Sequence, residues 1–385
     1  MKINTTELKK LIKQTQVNTT GNIVPILDFL VLEEYKGQIR MRNTNLNTFI
    51  YAIGDAVECE DGFACLLHRN EITELINYLP DTEIEITNDF VSGRVKIIWT
   101  QGEYFIFNGN INDYPVFLET EEYQNAFTIY GKEYANTYKL LSQTVGHDPF
   151  RETMNGLYCE VGETYIQITA TDAISLSHIE TLSPNKKGER SFDIIIPPET
   201  ASILSKFSSE DDEIVILSNE TMLSISVNAK VFILTKQITG KYPNYKSIIP
   251  KNNDKTLTID RKVLKGSLER AIAFNNISLK EGIIFNLKSD GLFIGDYKEE
   301  VTEEDLFSVK ERSACEYKGE ELRIAFNPRI MLKMIKNIDA DEITMTFSEY
   351  NKPVIITPVQ NANNYYYLIM PIQLKDESSS KKKSE

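Results

Sequence analysis

The stretch Gly240-Lys241-Tyr242-Pro243-Asn244-Tyr245 decides the fold, because its proline has counterparts at a fixed interval. The step from Pro115, in Asn112-Asp113-Tyr114-Pro115, to Pro243 equals the step from Pro243 to Pro371, in Ile369-Met370-Pro371-Ile372. A second mark keeps nearly the same step. Glu83-Ile84-Glu85-Ile86, Glu213-Ile214-Val215-Ile216 and Glu342-Ile343-Thr344-Met345 recur almost in register with the prolines. Two marks in register predict a domain repeated three times, each copy large enough for a core of its own. A protein that triplicates a whole domain works by its shape, so the repeat bears on function before any motif does.

Polar, turn-forming stretches near residues 119–124 and 250–255 mark the joints. They predict domains over residues 1–123, 124–251 and 252–374. The closing stretch, 375–385, contains no apolar side chain and is expected to form a disordered polar tail.

Each copy reads as a helix, several strands, a second helix and more strands. The first helices are expected over 5–16, 131–144 and 260–274. Leu8, Leu11 and Ile12 recur at helical spacing in the first, and Val263, Leu264, Leu268, Ala271 and Ile272 do so in the third. The second helices are expected over 69–79, 198–207 and 328–337, two of them with proline at the first helical position. Strand signals such as 95–100, 165–169, 192–196 and 283–287 fill the rest. The fold class is therefore α+β, with antiparallel sheets and two helices per domain.

No apolar run approaches the roughly 20 residues of a membrane span, and the amino terminus lacks a signal-peptide core, so a cytoplasmic protein is expected. The four cysteines, Cys59, Cys65, Cys159 and Cys315, show no Cys-x-x-Cys spacing and are expected to be reduced, mostly core residues. His68, His147 and His178 lack metal spacing, and neither a phosphate-cradling Gly-Lys-Ser/Thr loop nor a Gly-x-Ser-x-Gly elbow occurs. No catalytic residue, metal or cofactor is therefore expected. Asp172 beside Thr171 reads as a turn former bonded to nearby N–H groups rather than a general base.

Net charge is −14, which by itself disfavours a nucleic-acid partner. Its distribution says more. The six expected helices carry seven more basic than acidic side chains, leaving an excess of 21 acidic ones elsewhere. One reading is that lysine merely solvates the outer faces of helices. The other is that these faces line one surface that meets a polyanion without reading its sequence.

Several strings resemble the bacterial DNA polymerase III β subunit, the sliding clamp family. They are Ala170-Thr171-Asp172 with Leu176, the Gly240–Tyr245 stretch running to Ile248-Ile249-Pro250-Lys251, and the terminal Tyr367-Leu368-Ile369-Met370-Pro371-Ile372-Gln373-Leu374. Val24-Pro25-Ile26-Leu27, Arg151 with Asn155-Gly156, and Ala325-Phe326-Asn327-Pro328 fall where that family has such residues. The resemblance covers residues 1–374. It implies a non-enzymatic processivity factor: a head-to-tail homodimer of three clamp domains per chain, closed into a ring, with helices towards duplex DNA and sheets outside.

Under that resemblance, Lys9, Lys10, Lys13, Lys132, Lys139, Arg151, Lys265, Arg329, Lys333 and Lys336 would face DNA. Leu75, Tyr104 and Ile106 would meet Ala273 and Phe274 of a second copy at the dimer interface. A pocket between the second and third domains would receive a short peptide. It would be formed by Met154, Thr171, Leu176, Pro243 and Ile248, with Asn327, Ile330, Pro353 and Val354 at one side and Leu368, Ile369, Met370, Pro371, Ile372 and Leu374 closing it. Implied partners are double-stranded DNA, the catalytic subunit of DNA polymerase III, the clamp loader, repair polymerases, and ligase or mismatch-repair proteins. The chain departs from the family where Ala173-Ile174-Ser175 stands in place of a small residue, an aromatic or histidine, and arginine, where Ser247 replaces an often basic residue, and where Gly21-Asn22 stands at the place of an arginine that some relatives direct at DNA. A less cationic, more apolar pocket is expected. The competing class is a non-catalytic repeat scaffold that binds proteins without DNA.

Overall fold

The structure is a computed structural model describing residues 1–18, 24–89, 91–116, 122–182, 186–187, 191–274, 282–296, 310–360 and 364–373. Leu374, the 375–385 tail and Gly21-Asn22 lie outside them, as does the side chain of Phe274. The described residues contain six α-helices: α1 (Thr5–Gln14), α2 (Arg69–Tyr78), α3 (Gly131–Leu141), α4 (Pro198–Leu204), α5 (Arg261–Phe274) and α6 (Pro328–Asn337). The second helices begin at Arg69, Pro198 and Pro328, nearly equal steps along the chain, as the repeat requires.

Several helices end earlier than periodicity suggests, for local reasons. Thr15 turns its hydroxyl back onto the Leu11 carbonyl at 2.8 Å, closing α1 early. After α4, Lys206 and Phe207 donate to the Ile203 and Leu204 carbonyls, the tighter pattern of a 3₁₀ turn, so the helix narrows and stops. Asp260 precedes α5 rather than joining it. Its Oδ1 accepts the Lys262 and Val263 N–H groups at 2.7 and 2.9 Å, the geometry of an N-cap.

Compactness divides the chain into two units, residues 1–135 with 183–239, and residues 136–182 with 240–385. In the first unit a long antiparallel sheet runs in the order Lys186–Lys187, Asn125–Tyr130, Glu213–Ser218, Met222–Val227, Val231–Lys236, Thr48–Gly54, Gln38–Thr44, Phe29–Tyr35, Ala64–His68. The middle repeat is stitched to the first by strand pairing, with Val231 opposite Ala52 and Ile233 opposite Ile50. A second sheet has the order Lys2–Asn4, Glu83–Asp89, Arg94–Trp99, Gly102–Phe107. Helices α1 and α2 pack together, and Leu8, Leu11, Ile12, Ile72 and Ile76 are buried. Burial of such side chains contributes roughly 1.5–3 kcal/mol each.

The second unit follows the same plan. Its long sheet includes, in order, Leu157–Val161, Tyr165–Thr171, Ser175–Leu182, Tyr365–Ile369, Val354–Pro358, Glu342–Phe347, Lys255–Asp260, Glu316–Lys318. Here the join between middle and last repeats is Leu176 opposite Leu368 and His178 opposite Tyr366. A smaller sheet runs Lys310–Ser313, Gly291–Asp296, Ile283–Lys288, Leu322–Phe326. Helices α5 and α6 pack on each other over a core containing Leu264, Leu268, Met331, Met334 and Ile335, all fully buried.

Candidate functional site

Strand register in the second unit builds the expected docking site from the backbone outward. Residues directly opposite one another share a face of a sheet. Thr171 faces Leu176, which faces Leu368, which faces Ile355, making one row across four strands. The next row on that face is Tyr158, Thr169, His178, Tyr366. Glu160, Gln167 and Glu180 form a third. Thr171, Leu176 and Leu368 thus come together as a floor, with Leu176 and Leu368 at 0 % and 1 % exposure.

Val354 and Ile369 lie opposite each other in a row with Ser175, out of step with the floor. The alternation of a strand puts them on the other face, where both are buried in the core. Ile355, half-buried, stands beside Leu368 where the sequence reading placed Val354. Only the register that sets it opposite Leu368 identifies it.

Around this floor the chain makes three walls. The 171–175 turn is held by Asp172, whose Oδ1 accepts the N–H groups of Ile174 and Ser175 at 2.9 and 2.6 Å and the Ser175 hydroxyl at 2.9 Å. Asp172 therefore acts as a turn former. The turn carries Ala173 at φ +73°, a left-handed conformation that a residue with a Cβ rarely adopts, and leaves the Ile174 side chain 51 % exposed. The segment after Ile369 forms the second wall. Met370 donates to the Ile174 carbonyl and Ile372 to the Ala325 carbonyl, each at 2.8 Å, so Met370, Pro371 and Ile372 bridge the turn to the strand that leads into Asn327. Asn327 is engaged as the α6 N-cap, accepting from Arg329 and Ile330 at 3.0 and 3.3 Å. Ile330 and Pro353 are half-buried.

The third wall is the 240–250 segment. Gly240 adopts φ +121°, and a Cβ there would meet Thr153 Cγ2 at 3.0 Å, beside the buried Met154. Tyr242 stacks flat on Tyr158, centroids 4.3 Å apart and planes 4° apart. Tyr245 stands edge-on to Tyr158 and donates its hydroxyl to Glu160 Oε2 at 2.5 Å. Pro243 and Ile248 are left exposed on this anchored segment. His178 is buried between Tyr245 and Tyr366, with Nδ1 2.9 Å from Thr169 Oγ1. Burial lowers its pKa to about 4, leaving a neutral ring at neutral pH.

The helix cations differ in what holds them. Lys10 pairs with Glu7 at 3.1 Å, Lys9 with Asp81 at 3.9 Å, and Lys132 with Glu210. Lys336 and Lys265 both approach Glu269 Oε1, at 3.2 and 3.9 Å, and Arg151 approaches Asp148 at 3.6 Å. Lys13, Lys139, Arg329 and Lys333 have no ion pair with another described residue.

Of the expected interface residues, Tyr104 is 41 % exposed on Gly102–Phe107, the outermost strand of its sheet, and Ala273 is exposed near the end of α5. Leu75 is half-buried. Ile106 differs from the expectation: it is buried in the core of its own chain. Phe105 and Phe107, which sequence reading missed, are exposed on that strand instead. An outermost strand with exposed aromatics is a surface that proteins ordinarily cover. Among the described residues no group of acidic, histidine or cysteine side chains could hold a metal ion, and no helix is long and apolar enough to cross a membrane.

The chain is similar to known proteins of one family. The family model described as the DNA polymerase III beta subunit, central domain, matches residues 128–244, and that of the C-terminal domain matches residues 246–373. The beta sliding clamp of Rickettsia bellii is 26 % identical over 364 residues, covering 92 % of this chain and 93 % of that protein. That of Chlamydia muridarum is 24 % identical, covering 97 % and 99 %. In structure the chain is similar to the Thermotoga maritima DNA polymerase III beta subunit, with a TM-score of 0.87, 21 % identity, and 97 % and 99 % coverage. It is similar also to the Pseudomonas aeruginosa sliding clamp bound to griselimycin, with a TM-score of 0.88, 19 % identity and the same coverage. With the two family regions together spanning more than half of the sequence, the chain belongs to the DNA polymerase III beta subunit family of sliding clamps.

Proposed function

We propose that this chain closes into a head-to-tail homodimeric ring around duplex DNA and tethers replication proteins through the site built on Leu176 and Leu368. Each chain contributes three domains, 1–123, 124–251 and 252–374. The observation that carries the reading is charge segregation: cations gather on the helices of a chain whose net charge is −14. Phosphate contact by Lys13, Lys139, Arg329 and Lys333 is independent of base sequence and permits sliding. The protein has no reaction of its own to catalyse.

Ring closure joins the Gly102–Phe107 edge of one copy, with Tyr104, Phe105 and Phe107, to the α5 end of the other, around Ala273 and Phe274. The docking site takes a short peptide led by glutamine and rich in leucine or phenylalanine. The DNA polymerase III catalytic subunit, the clamp loader, and repair polymerases, ligase or mismatch-repair proteins share it. Light scattering tests the assembly: a mass twice the 44.1 kDa of one chain is expected, and a monomer at all concentrations overturns the ring. A scaffold without DNA function would retain neither circular nor linear DNA.

A further inference from the structure

The third wall of the docking site carries two lysines, Lys241 and Lys246, and Lys246 is held in an ion pair. Ser175 and Ser247 add no cation to the turns they sit in, and Lys246 lies between Tyr245 and Ser247. Its Nζ is 2.8 Å from Glu160 Oε1, while Glu160 Oε2 accepts the Tyr245 hydroxyl at 2.5 Å. One carboxylate on the strand Leu157–Val161 thus holds two consecutive residues of the wall. Side chains at 158 and 160 point to one face, since Leu157, Cys159 and Val161 are buried on the other. The Tyr242–Tyr158 stack therefore lies on the same face as the Glu160 contacts, and the segment that exposes Pro243 and Ile248 is fastened on both sides of Pro243.

We propose that Glu160 sets the charge preference of the docking site, by fixing the 242–248 segment and neutralising Lys246 so that this lysine adds nothing to the recognition of acidic peptide residues. The proposal rests on the peptide-docking reading above. An ammonium held by a half-buried carboxylate has little left to offer a second anion, whereas the same ammonium released beside Ile248 would attract one. Acidic peptide residues accordingly gain nothing from Lys246, and Ile174, Ile248 and Met370 offer apolar contact. Glu160 is a positioning residue: it acts through Tyr245 and Lys246.

Two peptides test this, identical except that one has aspartate and the other serine between the leading glutamine and the leucine anchor. Their affinities for the full-length protein are measured by calorimetry at low and high salt. Lys246→Met is expected to leave the acidic-to-neutral affinity ratio within about twofold of the unmodified protein. Glu160→Gln keeps an acceptor for Tyr245 but lifts the negative charge, and should raise the ratio about fivefold at low salt. That gain should vanish at high salt and in the Glu160→Gln/Lys246→Met double variant. A fallen ratio in Lys246→Met, or an unchanged one in Glu160→Gln with an unaltered melting temperature, overturns the proposal. If neither peptide binds the unmodified protein, the docking reading itself fails, and this inference fails with it.

Discussion

The imidazole of His178 stacks on the ring of Tyr366, centroids 5.0 Å apart and planes 30° apart, across the strand pair that joins the middle repeat to the last. Buried there and facing Thr169, with Glu160, Glu180 and Lys246 in its electrostatic surroundings, His178 has a pKa lowered to about 4 from the ordinary 6.5. The unfolded chain then binds a proton between these values that the folded chain does not. Stability contributed by the neutral ring is complete above about pH 6.5 and is lost as pH falls towards 4. The loss is on the order of 3–4 kcal/mol at most. Denaturant unfolding at pH 7.5 and 4.5 should show a smaller difference for His178→Gln than for the unmodified protein. An identical difference would remove His178 as the cause.

The basic helices make unequal predictions. Lys333 has no ion pair with a described residue, whereas Lys336 lies 3.2 Å from Glu269. Lys333→Glu should therefore weaken retention on DNA of any sequence more than Lys336→Glu does. Each lost phosphate contact should lower the slope of log affinity against log salt by about 1. Equal effects would mean that the Glu269 pair is broken whenever DNA is present.

Ring closure is tested at Phe274. In the proposed interface, aspartate there would place an unpaired charge against apolar side chains, at a cost of several kcal/mol. Sedimentation of Phe274→Asp should show folded monomers. A dimer persisting at low concentration would locate the interface elsewhere.

The docking site calls for probes that are not fully buried. Leu176 is fully buried, so Leu176→Ala would cost roughly 2–5 kcal/mol of stability and confuse folding with binding. Ile174→Ser with Met370→Ala should abolish binding of a glutamine-led, leucine-rich peptide while the dimer persists. Removing residues 375–385 should leave affinity within about threefold, because a polar tail offers no apolar anchor. Unchanged binding after the first substitution would move the site, and a large loss after the deletion would make the tail the recruiting element.

Much of this architecture was legible in the sequence because it repeats. The evenly spaced Pro115, Pro243 and Pro371 and the recurring Glu-Ile strands carry the triplication, and the spacing of Leu8, Leu11 and Ile12 and of their counterparts carries the helices. The Asp172 turn was also readable, since aspartate before a tight turn has few other uses. What escaped was the face on which a strand residue sits. Val354 and Ile369 belong to apolar segments, and nothing local distinguishes them from Leu368 and Ile355; only pairing with a partner strand sets the alternation. The same holds for Ile106 against Phe105 and Phe107. Neither the Lys246–Glu160 pair nor the Lys336–Glu269 pair was foreseeable, because each joins elements far apart in the chain.

The central claim is that the protein holds DNA by encircling it. The direct measurement is retention on a nicked circular duplex after loading, followed by cutting the circle once. The account predicts that protein stays with the circle through gel filtration at moderate salt and leaves within minutes of linearisation, whatever the DNA sequence. Equal retention on circular and linear DNA would contradict it, as would failure to remain on either.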